Sequence, residues 1–146
     1  MNATPGANPR ADAAGIVLLA HGARNPDWAR PIEAIREAML ARDPAAEVAV
    51  SFLEFIPPAL PEAIDRMVAR GLARIVIVPI FMAHSGHTKR DLPALLEAAR
   101  ARHPGIEMRV ATPIGEAAAV VEAIAGYALS CPSPAGRGLV RARRSS

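Results

Sequence analysis

Apolar runs alternate with helix-period segments four times along this chain, and that rhythm predicts its architecture. Residues 15–20 (GIVLLA) are an uninterrupted apolar run, as a strand buried on both faces of a parallel sheet requires. From Pro26 the apolar side chains Trp28, Ile32, Ile35 and Met39 recur at helical spacing. They predict a helix with Trp28 in its core stripe, ended by Asp43-Pro44, because the residue before a proline leaves the helical region. Residues 47–53 (EVAVSFL) alternate and then turn apolar, which predicts a second strand. Pro57 and Pro58 are expected to open the next helix, with Leu60, Ile64, Met67 and Val68 as its stripe and Gly71 as its stop.

Residues 74–82 (RIVIVPIFM) are the most β-branched stretch and predict a central strand. Proline donates nothing to a ladder, so Pro79 belongs near the end of that strand. Ser85-Gly86 reads as a loop, and Asp91-Leu92-Pro93 as the start of a third helix carrying Leu92, Leu95, Leu96 and Ala99 up to His103-Pro104. Ile106, Met108 and Val110 alternate with Glu107 and Arg109, the pattern of a half-exposed edge strand, and residues 115–129 predict a last helix. Strands separated by helices of this length make right-handed crossovers. The expected fold is therefore α/β: one domain over residues 15–130, with a four-stranded parallel sheet and helices on both faces.

The ends read differently. Residues 1–14 are small, polar and rich in turn formers, and residues 131–146 are similar with added arginine. Both are expected to be disordered tails. The 146-residue chain has 17 basic and 14 acidic side chains, but the two ends hold five of the bases and one of the acids. That leaves 12 against 13 in the body, with no basic stripe interleaved with aromatics, so nucleic-acid binding is not expected. Cys131 is the only cysteine, which excludes an intrachain disulfide and a thiolate metal cage. The apolar run at residues 16–20 is too short for a signal core or a membrane span. No membrane association and a cytoplasmic setting are expected.

Parallel α/β sheets bind ligands beyond the carboxyl ends of their strands. His21-Gly22-Ala23-Arg24 follows the first strand there, Glu54 the second, and His84-Ser85-Gly86-His87-Thr88-Lys89-Arg90 the third. Imidazole and carboxylate suit borderline divalent metals such as Co²⁺, Ni²⁺, Fe²⁺ and Zn²⁺, and two or three protein ligands leave coordination positions open. Each residue also has a plainer reading. His21-Gly22 fits turn chemistry, Glu54 a solvated strand end, and His103 a favourable position at a helix C-terminus. Of the pair three apart, His87 is the better ligand candidate and His84 a lining residue. Arg24, Lys89 and Arg90 are ordinary solvated charges unless an acidic substrate lies beside them.

Three separated segments carry a family resemblance. HGAR after a strand (residues 18–24), FLEF with its following prolines (52–58) and FMAHSGHTKRDLP (81–93) resemble the class II chelatases of cobalamin and sirohaem synthesis, in order and spacing, over about residues 15–128. The resemblance implies that His21 and His87 bind the metal and help remove pyrrole protons, with Glu54 as a third catalytic participant. It implies sirohydrochlorin, a polycarboxylate macrocycle, as substrate. Arg24, His84, Ser85, Gly86, Lys89 and Arg90 would then contact that substrate. Co²⁺ is the metal usual for the small cobaltochelatases, Fe²⁺ or Ni²⁺ serves sister enzymes, and no organic cofactor is implied. Larger members have two facing lobes, so this single lobe is expected to act as a homodimer. Two rival readings are a non-catalytic metal or tetrapyrrole carrier and a histidine phosphatase-like phosphoryl-transfer enzyme. The second is weakened because Ala20, and no arginine, precedes His21-Gly22.

Overall fold

β1 (Ala14–Ala20) lies inside a four-stranded sheet of order β2-β1-β3-β4, with β2 (Glu47–Phe52) and β4 (Glu107–Val110) at the edges and β3 (Arg74–Pro79) beside β1. Every neighbouring pair is parallel. The structure, a computed structural model, describes residues 12–134. The two expected tails fall mostly outside that range; within it, Ala14 already belongs to β1, and Asp12 pairs with Arg74 at 3.4 Å.

The alternation of β1 divides the core in two. Val17 and Leu19 face α2 (Leu60–Ala69) and α3 (Gly86–Arg102), where they meet Leu60, Ile64, Met67, Ile75, Ile77, Leu92 and Leu96. Leu18 and Ala20 face α1 (Arg30–Arg42), with Ile32, Val48, Val50 and Phe52. Arg36 Nε donates to the Val48 carbonyl at 3.2 Å and holds α1 over β2. The stripe Leu60, Ile64 and Met67 is buried as its spacing requires, and Ile64, fully enclosed, contributes about 1.5–3 kcal/mol of burial. Between the middle of α2 and the C-terminal end of α3, Asp65 accepts from His103 Nε2 at 2.7 Å and also pairs with Arg102. His103 is thus a structural clasp between two helices.

Several boundaries differ from the sequence expectation. The chain after Asn25 first makes a 3-10 turn (Pro26–Ala29), so Trp28 leaves the helical stripe and is 67% exposed, not core. Ile35 is also partly exposed. Pro57 and Pro58 form a cis pair ahead of α2, which begins only at Leu60. α3 starts at Gly86, five residues before Asp91, because Ser85 Oγ caps it by accepting from the Thr88 amide at 3.2 Å. Pro93 is accommodated inside that helix. The last expected helix divides into a 3-10 turn (Ile114–Glu116) and α4 (Ala118–Ser130), and no residue of α4 is buried. Among the described residues the longest apolar helix is too short to cross a membrane.

Candidate active site

The β1–β2 ladder continues past both strand ends. The Leu53 amide donates to the Ala20 carbonyl and the Glu54 amide to the His21 carbonyl, each at 2.9 Å. This sets Glu54 beside His21. The approach is possible only because Gly22 has φ +84° and no side chain: a Cβ there would lie 1.9 Å from the Glu54 carbonyl oxygen. On the opposite flank, the Ile80 amide donates to the Leu19 carbonyl at 2.7 Å and delivers Phe81 against His21, with ring centroids 4.7 Å apart.

The capped start of α3 supplies the next group. Ser85 closes the first turn, and His87 in that turn lines, with His21, a cavity of about 640 Å³. His21, Glu54, Ser85, His87, Thr88 and Asp91 are its polar lining, over a floor that includes Leu53 and Leu95. That volume lies within the ~300–1,000 Å³ typical of small-molecule sites. His21, Glu54 and His87 are all solvent-exposed, as an open, wet mouth requires. Among the described residues no three His, Cys, Asp or Glu side chains stand close enough to cage an ion. Two imidazoles and two carboxylates lining one open cavity suit attraction and transient ligation of a divalent cation.

The remaining residues singled out from the sequence scatter around this cavity. His84 and Lys89 line a separate neighbouring cavity of about 420 Å³, and the His84 ring meets the far side of Phe81 at 5.5 Å. Its Nδ1 is buried without a hydrogen-bond partner among the described residues. Arg24 is not among the residues lining the cavity; it lies over the Phe55 ring, 5.2 Å from its centroid, in a cation–π contact. Phe55 itself is 60% exposed and has φ +65°, a strained conformation for a bulky residue. Gly86 begins α3, and its carbonyl accepts from Arg90 Nε at 3.2 Å; neither residue lines the cavity. Asp91 was missed as a site residue. It stands four residues after His87, so the two share a helical face; taking Ser85 as the cap would have revealed it.

Fold and site together define a single-domain α/β protein with a histidine- and carboxylate-lined cavity beyond the carboxyl ends of a parallel sheet. Residues 15–128 match the CbiX family profile, and the chain belongs to the CbiX family. It is 37% identical over 81 residues to the sirohydrochlorin cobaltochelatase of Methanococcus aeolicus, a match covering 56% of this chain and 57% of that relative. The chain thus spans little more than half the length of several curated relatives it matches. With the sirohydrochlorin cobaltochelatase of Saccharolobus solfataricus it shares 35% identity over 107 residues, covering 69% of this chain and 82% of that one. Among solved structures, the CbiX protein from Marinobacter aquaeolei VT8 superposes with a TM-score of 0.70 at 29% identity, over 80% of this chain and 94% of that one. The sirohydrochlorin chelatase SirB from Bacillus subtilis subspecies spizizenii, in complex with cobalt, gives 0.68 at 27% identity, over 80% of this chain but 50% of SirB.

Proposed function

We propose that this protein is a sirohydrochlorin chelatase that inserts a divalent metal, Co²⁺ in the first instance, into the macrocycle. The observation that carries the reading is the one cavity that His21, Glu54 and His87 all line. The two curated relatives described above are named sirohydrochlorin cobaltochelatases, which supports both substrate and metal. Insertion must strip water from the metal and remove two pyrrole N–H protons. Imidazole serves both needs, replacing water as a ligand and accepting a proton near neutrality. His21 and His87 hold the metal at one face of the ring, and Glu54, tied to His21 through the backbone, accepts a proton or orients the imidazole. Asp91, in the same lining, adds negative charge and favours approach of the cation.

Arg24, close in sequence to His21, suits a peripheral carboxylate of the substrate. A cavity of about 640 Å³ on one lobe cannot bury most of a tetrapyrrole, so the working unit is a homodimer whose strand-end faces meet over the substrate. The single free thiol, Cys131, suits a reducing, cytoplasmic setting.

The test is the absorbance change on mixing protein, sirohydrochlorin and Co²⁺, Fe²⁺ or Ni²⁺, measured against the uncatalysed rate. Acceleration with Co²⁺, lost in His21→Ala and His87→Ala, is expected. Binding of metal and macrocycle without acceleration would make the protein a carrier.

A further inference from the structure

Three histidines follow the ends of β1 and β3: His21, His84 and His87. A borderline divalent ion accepts imidazole readily, and a fuller ligand set holds it more firmly than an open one. Yet only His21 and His87 line the larger cavity, while His84 lines the smaller. Neutral imidazole carries a lone pair on one of its two nitrogens. The His84 Nδ1 is buried with no hydrogen-bond partner among the described residues. His84 is therefore a capable ligand set apart by position, not by chemistry.

The side chain in contact with both His21 and His84 is Phe81. Its ring lies 4.7 Å from that of His21 at a 39° tilt, and 5.5 Å from that of His84 in an edge contact at 72°. Aromatic contacts of this kind fix ring orientation as well as burying area. Phe81 is only 8% exposed, yet it belongs to neither apolar core and lines neither cavity. Thr88 completes the division. It is 3% exposed, lines both cavities, and its hydroxyl donates to the Ser85 carbonyl at 3.1 Å.

The backbone holds Phe81 from both sides. The preceding Ile80 amide donates to the Leu19 carbonyl, and the Phe81 carbonyl accepts from the Gly115 amide at 3.3 Å. A Cβ on Gly115 would lie 2.2 Å from the Met82 carbonyl oxygen, so only glycine lets the chain after β4 close on this loop.

We infer that Phe81 is a positioning residue: its ring orients the His21 imidazole and stands between it and His84, so that the ion meets an open ligand pair and can be passed on. The inference rests on the proposed function, in which His21 and His87 ligate the metal. Without the ring, His84 joins them, and a third imidazole turns a transfer site into a storage site.

Titration of the full-length chain with Co²⁺ alone, followed by calorimetry and by the d–d absorption of the ion, tests this without the macrocycle. Phe81→Ala should bind Co²⁺ at least about tenfold more tightly than the unaltered protein, because a ligand tethered beside two others adds affinity without a new association cost. Its d–d bands should shift as the donor set changes. Both effects should vanish in Phe81→Ala/His84→Ala. In the insertion assay Phe81→Ala should lower the maximal rate and the half-saturating Co²⁺ concentration together, the mark of an ion held too well. A merely structural defect would weaken binding and would not respond to His84→Ala.

Loss of a buried ring can prevent folding, so the intact wall is tested as well. His84→Ala alone should leave the affinity for Co²⁺ and the d–d spectrum unchanged. A change in either means that His84 is already a ligand, which overturns the partition. A Phe81→Ala protein that folds by circular dichroism and binds Co²⁺ no more tightly overturns it too, and leaves the proposed function standing. Unaltered Co²⁺ binding in His21→Ala and His87→Ala would remove the ligand pair itself, and both readings with it.

Discussion

The backbone amide of Glu54 donates to the carbonyl oxygen of His21 at 2.9 Å, so the candidate proton acceptor and the candidate metal ligand belong to one ladder. Their main chains are held side by side, and the glycine between His21 and Ala23 is what permits the contact. Pre-organisation of this kind costs nothing at the moment of reaction, because strand pairing holds the two groups before any ligand arrives.

Replacing His21 or His87 with alanine should lower the insertion rate by roughly 100-fold or more, the usual range for loss of a proton acceptor or ligand. Both side chains are exposed and outside the two cores, so thermal unfolding should hardly change. Spectrophotometric rates with Co²⁺ beside melting curves decide this. Near-normal activity in both variants would remove the two histidines from the mechanism.

Gly22→Ala should destabilise the protein by more than about 2 kcal/mol, because alanine pays for the left-handed backbone and its methyl group collides with the Glu54 carbonyl. Urea denaturation measures the loss. Activity should fall further than stability alone explains, since relief of the clash separates Glu54 from His21.

Ser85→Ala removes the cap of α3 and should cost about 1 kcal/mol. The first turn also carries His87, so fraying there should raise the concentration of metal needed for half-maximal rate. Ser85→Asp, another good cap, should recover the stability. Equal metal dependence in Ser85→Ala and the unaltered protein would show that His87 does not depend on the cap.

Asp65 carries a pH signature. Its hydrogen bond from His103, and then the charge and hydrogen bond of Arg102, outweigh desolvation and hold its carboxyl below the ordinary value of 3.8. A depressed folded-state value means that this clasp stabilises the protein above the unfolded-state pKa and is lost as pH falls through the folded one. The loss belongs below about pH 4. At 41% exposure the carboxylate is well screened, so the whole effect should stay under about 1 kcal/mol. Asp65→Asn should therefore be slightly less stable at pH 7 and show a smaller stability decrease between pH 4 and pH 2, read from urea midpoints.

Strand and helix order, the parallel sheet and the edge strand at Glu107–Val110 were legible in the chain, because a buried strand and an amphipathic helix each write their own period into neighbouring residues. The cluster of His21, Glu54 and His87 was legible too, since strand ends in such sheets share one edge. Other features were decided only by packing in three dimensions. Trp28 has the right spacing for a core stripe, but the 3-10 turn after Asn25 rotates it into solvent. His84 and His87 are three apart, but the cap at Ser85 falls between them and directs them to different cavities. Asp65 finds His103 across 38 positions, and no residue of α4 is buried. Periodicity records which side of an element is apolar; what that side meets depends on contacts between residues far apart in the chain, and no local pattern encodes those.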